Sequence, residues 1–444
     1  MCEPPDEWSV SEPNELRNHA AIVVRPVVSG VSANVLVEAG VKRISRVLKS
    51  LRSPRTLLLL DQAVSGAGNA VPLILAGWRL GADGLASLSL ALLIATTAIG
   101  LQRALILEPT LSVIGGTERR WHHPGTAVGV SVLLSAGAGT VSGLTDPAHS
   151  FSTAAAVGGA VVFACLHDFA RYRALHHGKT VRTLISDSVW FVTAIAAVAY
   201  LPADWVTLLL GWGAGAALGS ALLLFRSAHL THDGLLRETW RRGRYQVSEV
   251  GVATLLTVVP FFVASALGWD ARVAALRLAQ SAAGPLNTIH STVALAMLLR
   301  SGSISQRDRN ATVGLRNRVR RLIVVASVCY MLCVTTFFLM FPPQSDAVAV
   351  ALPLALAVVS VSIVLTSSTS PNIVLLRTFG RQASVFWGRV VTVGIAVAGT
   401  TLAVLIAPSE IDPATGSMLL ASVAGLGVWW FVFRQLLNAM DGDS

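Results

Sequence analysis

Apolar runs of about 20 residues, each long enough to cross a hydrocarbon core about 30 Å thick, recur roughly twelve times along the chain. The first is centred near residue 67 and the last near residue 425. Without a closed barrel, backbone polar groups inside a bilayer find partners only in helices. The pattern therefore predicts an all-α integral membrane protein of about twelve transmembrane helices. A polar stretch over 1–34 precedes the runs and is expected to form a disordered cytoplasmic tail, with no cleavable signal ahead of the first span. Over 35–55, Val37, Val41, Ile44, Leu48 and Leu51 share one helical face while Lys42, Arg43, Arg46, Lys49 and Arg52 fill the other. That is the signature of a basic amphipathic helix lying on the inner leaflet.

Polar positions inside the runs are ordered as well. In RLAQSAAGPLNTIHS, which runs from Arg277 to Ser291, Arg277, Gln280, Ser281, Gly284, Asn287, Thr288 and Ser291 recur at three- and four-residue steps, on one helical face. Pro285 removes a backbone hydrogen bond and bends the helix beside Gly284. An arginine at mid-bilayer costs about 2.5 to 3.5 kcal/mol, so it normally faces protein or a water-filled cavity. The stretch reads as a bent helix lining a solute pathway. The other reading is that Arg277 snorkels to the headgroups while the small residues pack helices. The first span, about 56–77, groups Asp61, Ser65, Gly68, Asn69 and Pro72 largely on one side. The second, about 85–107, places Ser89, Thr96, Gly100 and Arg103 at helical spacing.

Composition agrees with the pattern: 53% of the 444 residues are hydrophobic and 13% charged, against about a quarter charged in soluble domains. The net charge of +10 is confined to alternate loops, from Lys42–Arg55 through Arg171, Arg173, Lys179 and Arg182 to Arg377, Arg381 and Arg434, while the intervening loops hold only Arg79 and Arg272. This is the positive-inside rule, and it puts both termini in the cytoplasm. The basic residues serve topology and anionic-lipid contact, and nucleic acid is excluded as a partner. The four cysteines read as packing residues, no metal set is present, and His122, His123, His176 and His177 read as loop residues, with His290 a packed polar one. No GxxxxGK[ST] loop occurs to bind a nucleotide, and the outer loops are too short for a catalytic domain.

The chain also matches itself. A shift of 188 places Asp61 on Glu249, Pro72 on Pro260 and Ser89 on Arg277; a shift of 202 places Gly178 and Lys179 on Gly380 and Arg381, and Asp187 on Arg389. Parallel six-helix repeats are expected, over 56–225 and 245–436, joined by a cytoplasmic linker over 226–244 and followed by a tail over 437–444.

Four stretches resemble the MATE-like multidrug/oligosaccharidyl-lipid/polysaccharide flippase (MOP) superfamily, in its bacterial polysaccharide-exporter branch. They are LLLLDQAVSGAGNAVPLILAGWRLGADG, GLQRALILEP, RYRALHHGKTVRTLISDSVW and LRLAQSAAGPLNTI. The resemblance implies two six-helix lobes around a central cavity, alternating access, and a lipid-linked oligosaccharide or polysaccharide precursor as cargo. It implies no enzymatic activity and no cofactor, with proton or sodium coupling open. Membrane lipids and polysaccharide assembly proteins would be the partners, in the bacterial cytoplasmic (inner) membrane. Arg277, and with it Arg103 and Arg389, would be the cationic cavity residues that meet the anionic head group, with Gln280, Asn287 and Asn69 near sugar hydroxyls. Asp187 and Arg389, at equivalent depths, either pair across the pseudo-twofold axis or sit at the inner interface. Asp61 and Glu249 either couple transport to an ion or cap their helices. A drug antiporter of the same build, a membrane glycosyl- or acyltransferase or polymerase, and a transport-inactive scaffold remain the competing readings.

Overall fold

The computed structural model of the protein describes residues 54–107, 124–145, 150–224, 236–286, 290, 309–406 and 412–442. The chain divides into Met1–Thr56 and Leu57–Ser444, and the architecture that follows is that of the second unit. The tail and the interfacial helix expected before residue 54 lie outside the described residues.

Among the described residues there are twelve α-helices: α1 Pro54–Ala76, α2 Ala82–Gln102, α3 Pro124–Thr145, α4 Ser150–His176, α5 Thr180–Tyr200, α6 Trp205–Leu224, α7 Leu236–Ala266, α8 Asp270–Ala282, α9 Arg309–Met340, α10 Asp346–Thr378, α11 Gln382–Ile406 and α12 Pro413–Gly442. No strand occurs among the described residues. Eleven of the helices are long and apolar enough to cross a bilayer. The remaining one, α8, ends at Ala282; Ala283 forms a turn and helix resumes over 284–286. Pro285 is the cause, since it has no N–H to bond back to Ser281 and its ring crowds that carbonyl. The Leu286 N–H bonds instead to the Ala283 carbonyl at 3.0 Å.

Two boundaries differ from the sequence expectation. Residues 236–244, expected in a linker, form the first turns of α7, because LRETWRRGR is rich in good helix formers and continues the span into water without a breaker. For the same reason α12 runs on to Gly442, through most of the expected tail.

Helices α1–α6 and α7–α12 make two lobes with matching internal contacts. In the first, α3 packs on α4 and α6 packs on both α4 and α5; in the second, α9 packs on α10 and α12 packs on both α10 and α11. The 202-residue shift is visible in the backbone. Gly178 and Gly380, which follow α4 and α10, hold φ of 70° and 73°. Behind each glycine an N–H reaches back five residues, Lys179 to Ala174 and Arg381 to Leu376, both at 2.9 Å. These are paired Schellman caps, each needing the left-handed residue that glycine supplies at no steric cost.

Small residues let the first lobe close tightly. A Cβ at Gly139 of α3 would lie 2.6 Å from the Ala154 carbonyl oxygen of α4, whereas a Cβ at Gly129 meets nothing within 4 Å. Gly139→Ala is expected to cost about 1–3 kcal/mol and lower the melting temperature in detergent by several degrees. Gly129→Ala, on the same helix, is the control and should leave it unchanged. Equal melting curves for the two variants would refute this account of the α3–α4 contact.

The lobes meet along α2, which packs on α7 and α8. They are also fastened at the end opposite the basic loops. There the Gln344 N–H bonds to the Gly77 carbonyl at 3.2 Å, and the Trp78 indole N–H to the Pro342 carbonyl at 2.9 Å. The Trp78 ring stands edge-on to Phe337 at 6.0 Å.

Candidate functional site

A cavity of about 600 Å³ lies between the lobes. The α1 stripe faces it with Gln62, Ser65 and Asn69, and the α8 stripe with Arg277, Gln280 and Ser281, followed by Gly284 past the turn. Asn287, Thr288 and Ser291 lie outside the described residues. Four guanidinium groups, from Arg103, Arg171, Arg277 and Arg389, reach the wall, and no carboxylate does among the described residues.

Each arginine is held differently. Arg103 opens the π-helical turn Arg103–Leu107 at the end of α2 and binds Asp168 with both arms, Nε to Oδ2 at 2.7 Å and Nη2 to Oδ1 at 2.5 Å. Arg171 stands between two carboxylates: its Nη2 is 2.5 Å from Asp61 and its Nε 2.7 Å from Asp187. His167 joins this cluster, with Nε2 3.4 Å from Asp187 and 3.0 Å from the Ser186 hydroxyl. Asp61, His167, Arg171 and Asp187 are all buried. A coupling cation at Asp61 would therefore compete with a guanidinium already there.

Arg277 differs from Arg103, Arg171 and Arg389 in having no carboxylate beside it among the described residues. It donates from Nη1 to the Gln280 side-chain oxygen at 2.7 Å, lies 5.7 Å from the Phe261 ring centre, and has a buried Nε with no acceptor. Gln280 is steadied in turn by Met418 Sδ at 3.3 Å. The snorkelling alternative does not describe this side chain, which faces the cavity.

Of the two readings of Asp187 and Arg389, the pairing across the pseudo-twofold axis is not formed. Each sits seven residues into its helix, α5 and α11, and each turns into its own lobe. Asp187 meets Arg171, while Arg389 meets Glu249 at 3.6 Å. Neither Asp61 nor Glu249 caps a helix, since both lie well inside α1 and α7. Glu249 instead accepts from Arg377 Nη2 at 2.6 Å. His290 is packed as expected, 2.9 Å from the Ser367 hydroxyl and 3.4 Å from that of Ser327.

Arg171 and Arg377 are the residues that the sequence reading misplaced, as loop charges, and Asp168 was not singled out. The available signal was that no helix breaker separates Cys165 from His176, so Asp168 and Arg171 had to continue the helix at three-residue spacing.

No family model matches the sequence, and no curated protein matches it at a significant level. Solved structures do match. A structure titled lipid II flippase MurJ, inward closed conformation, aligns with 85% of this chain and 87% of its own at 12% identity and a TM-score of 0.63. The MATE multidrug transporter DinF-BH aligns with 87% of this chain and 95% of its own at 13% identity and a TM-score of 0.55. An inward-facing MATE family multidrug resistance transporter of the MOP superfamily covers 88% of this chain and 96% of its own at 13% identity, with a TM-score of 0.51. With twelve helices in two lobes around a shared cavity, this chain has the fold common to the MATE transporters and MurJ.

Proposed function

We propose that the protein is a secondary-type flippase that moves a lipid-linked oligosaccharide or polysaccharide precursor across the bacterial cytoplasmic membrane by alternating access of its two lobes. The observation that supports this over a drug antiporter is the wall chemistry: four guanidinium groups and no carboxylate among the described lining residues. A cationic drug would meet the Arg277 guanidinium, which has no carboxylate beside it among the described residues. A phosphate or pyrophosphate would meet planar donors that bind two oxygens at once, in a medium where each such contact is stronger than in water. Arg277 is the head-group contact, since no carboxylate among the described residues competes for it. Asn69, Gln280 and Ser281 present amides and a hydroxyl to sugar hydroxyls, weakly enough to permit release. Lipid II, for which the MurJ neighbour is named a flippase, is in keeping with this class of cargo.

The test is a reconstituted-vesicle assay with a fluorescent polyprenyl-diphosphate-linked sugar. Wild-type protein should translocate it, and Arg277→Ala should slow translocation about tenfold or more, the loss of one or two charge-assisted hydrogen bonds. Wild-type rates from correctly folded Arg277→Ala would remove Arg277 from the site. No translocation by wild type, together with transport of an organic cation, would favour the antiporter.

A further inference from the structure

We propose that a groove on the outer face of the second lobe, between α11 and α12, holds one anionic phospholipid from the leaflet on the basic-loop side. An acyl chain lies between Trp387 and Phe431, and the phosphate lies at Arg381 and Arg434. The site is apart from the central cavity and does not depend on what that cavity carries.

The groove follows from residue size along two neighbouring helices, and its volume is about 570 Å³. Trp387 and Phe431 form its walls, 62% and 56% exposed, while Gly388 and Gly427 leave its floor without side chains. At Gly388 the helices are in close contact, and a Cβ would lie 2.8 Å from the Trp429 ring. At Gly427 a Cβ would meet nothing within 4 Å. Trp429 lines the central cavity, so the groove lies on the other side of the same wall.

Its depth fits the chain of one leaflet. The lining runs along α11 from Ala383 to Val391, about 12 Å at 1.5 Å per residue, which is within half of a core about 30 Å thick. The polar lining residues Ser384 and Gln435 both sit at the basic-loop end, and the deeper lining is aliphatic, aromatic or glycine. Lipid tails are as apolar as such a slot, so the chain gains only packing there. Selection of the lipid has to come from its head group.

Charge identifies that head group. Arg381 stands immediately ahead of α11 and Arg434 beside Gln435, both exposed, and the Arg434 guanidinium is held 5.3 Å from the Trp430 ring centre. Neither Gln382–Ile406 nor Pro413–Ala439 contains an acidic residue. Two guanidinium groups at headgroup level, with no carboxylate on either span, complement a phosphodiester that carries net negative charge. A zwitterionic lipid would bring its own ammonium to the same place.

The test is retention of added lipid by delipidated full-length protein in native mass spectra, with phosphatidylglycerol and phosphatidylcholine as the probes. Wild type should keep one phosphatidylglycerol with a preference of about fivefold or more. Gly427→Leu fills the open floor without removing a charge and should reduce retention to background. Gly129→Leu, in open space on α3, should leave it unchanged. Arg381→Gln with Arg434→Gln should keep a lipid but lose the preference. General attraction of basic loops to an anionic leaflet predicts the reverse, a loss in the arginine variant and none in Gly427→Leu. Equal retention by wild type and Gly427→Leu, or no preference in wild type, overturns the site. A wild-type dimer that forms without lipid and is lost in Gly427→Leu assigns the groove to a second copy and overturns the proposal as well. Should Gly427→Leu not fold, the smaller Gly427→Val and the arginine pair decide. Reduced retention by the first with lost preference in the second supports the site, and wild-type behaviour of either refutes it.

Discussion

Arg171→Leu is expected to leave little or no folded protein. The substitution removes the only guanidinium between Asp61 and Asp187 in the described structure, and both carboxylates are buried. Breaking a buried ion pair by deleting one partner costs about 3–5 kcal/mol, because the remaining charge has neither solvent nor counter-charge. Here two carboxylates are stranded at once, against total stabilities of about 5–15 kcal/mol. Size-exclusion profiles of detergent-extracted protein should show aggregate in place of the wild-type peak. The reverse half of the argument is also testable. Removing the whole cluster, as Asp61→Asn, Arg171→Met and Asp187→Asn together, leaves no unpaired ion and should restore a monodisperse peak. A single variant that folds with an unchanged melting temperature would contradict the burial on which this account rests.

That cluster also marks where sequence reasoning stopped. Span number and the polar stripes on α1 and α8 were legible because both depend on local periodicity, and so was the break at Pro285, which is set by one residue's missing N–H. The Gly178 and Gly380 correspondence was legible because a left-handed cap constrains residue type. Arg171 and Arg377 were not, because a charge near the end of an apolar run looks the same whether the helix stops or continues. Helix α4 has 27 residues and α10 has 33, more than the bilayer requires, and their last turns remain packed against neighbours. Partners were still harder to read: Asp61 and Arg171 are separated by 110 positions, which no local pattern spans. Equivalent depth suggested that Asp187 and Arg389 face each other, yet a duplicated lobe places equivalent residues in equivalent surroundings, each within its own lobe.

Tying Gly77 to Gln344 is expected to abolish transport. These residues join the lobes at the end opposite the basic loops, where the Gln344 N–H meets the Gly77 carbonyl at 3.2 Å. The Trp78 indole and the Pro342 carbonyl add a second link at 2.9 Å. A cavity that serves both sides of a membrane must part at this end in one state and join in the other, so the contact has to be broken in every cycle. Two hydrogen bonds, each contributing about 0.5–1.5 kcal/mol net, are weak enough for differential cargo binding to shift the balance between the states. A covalent bridge is not. In a background freed of the native cysteines, Gly77→Cys with Gln344→Cys, joined through two disulfides by a short bis-methanethiosulfonate cross-linker, should translocate no labelled lipid, and reductant, by cleaving those disulfides, should restore the rate of the unbridged double variant. Transport that continues through a quantitatively bridged protein would mean that the lobes do not separate there, and that the cargo leaves by a route elsewhere on the lobe interface.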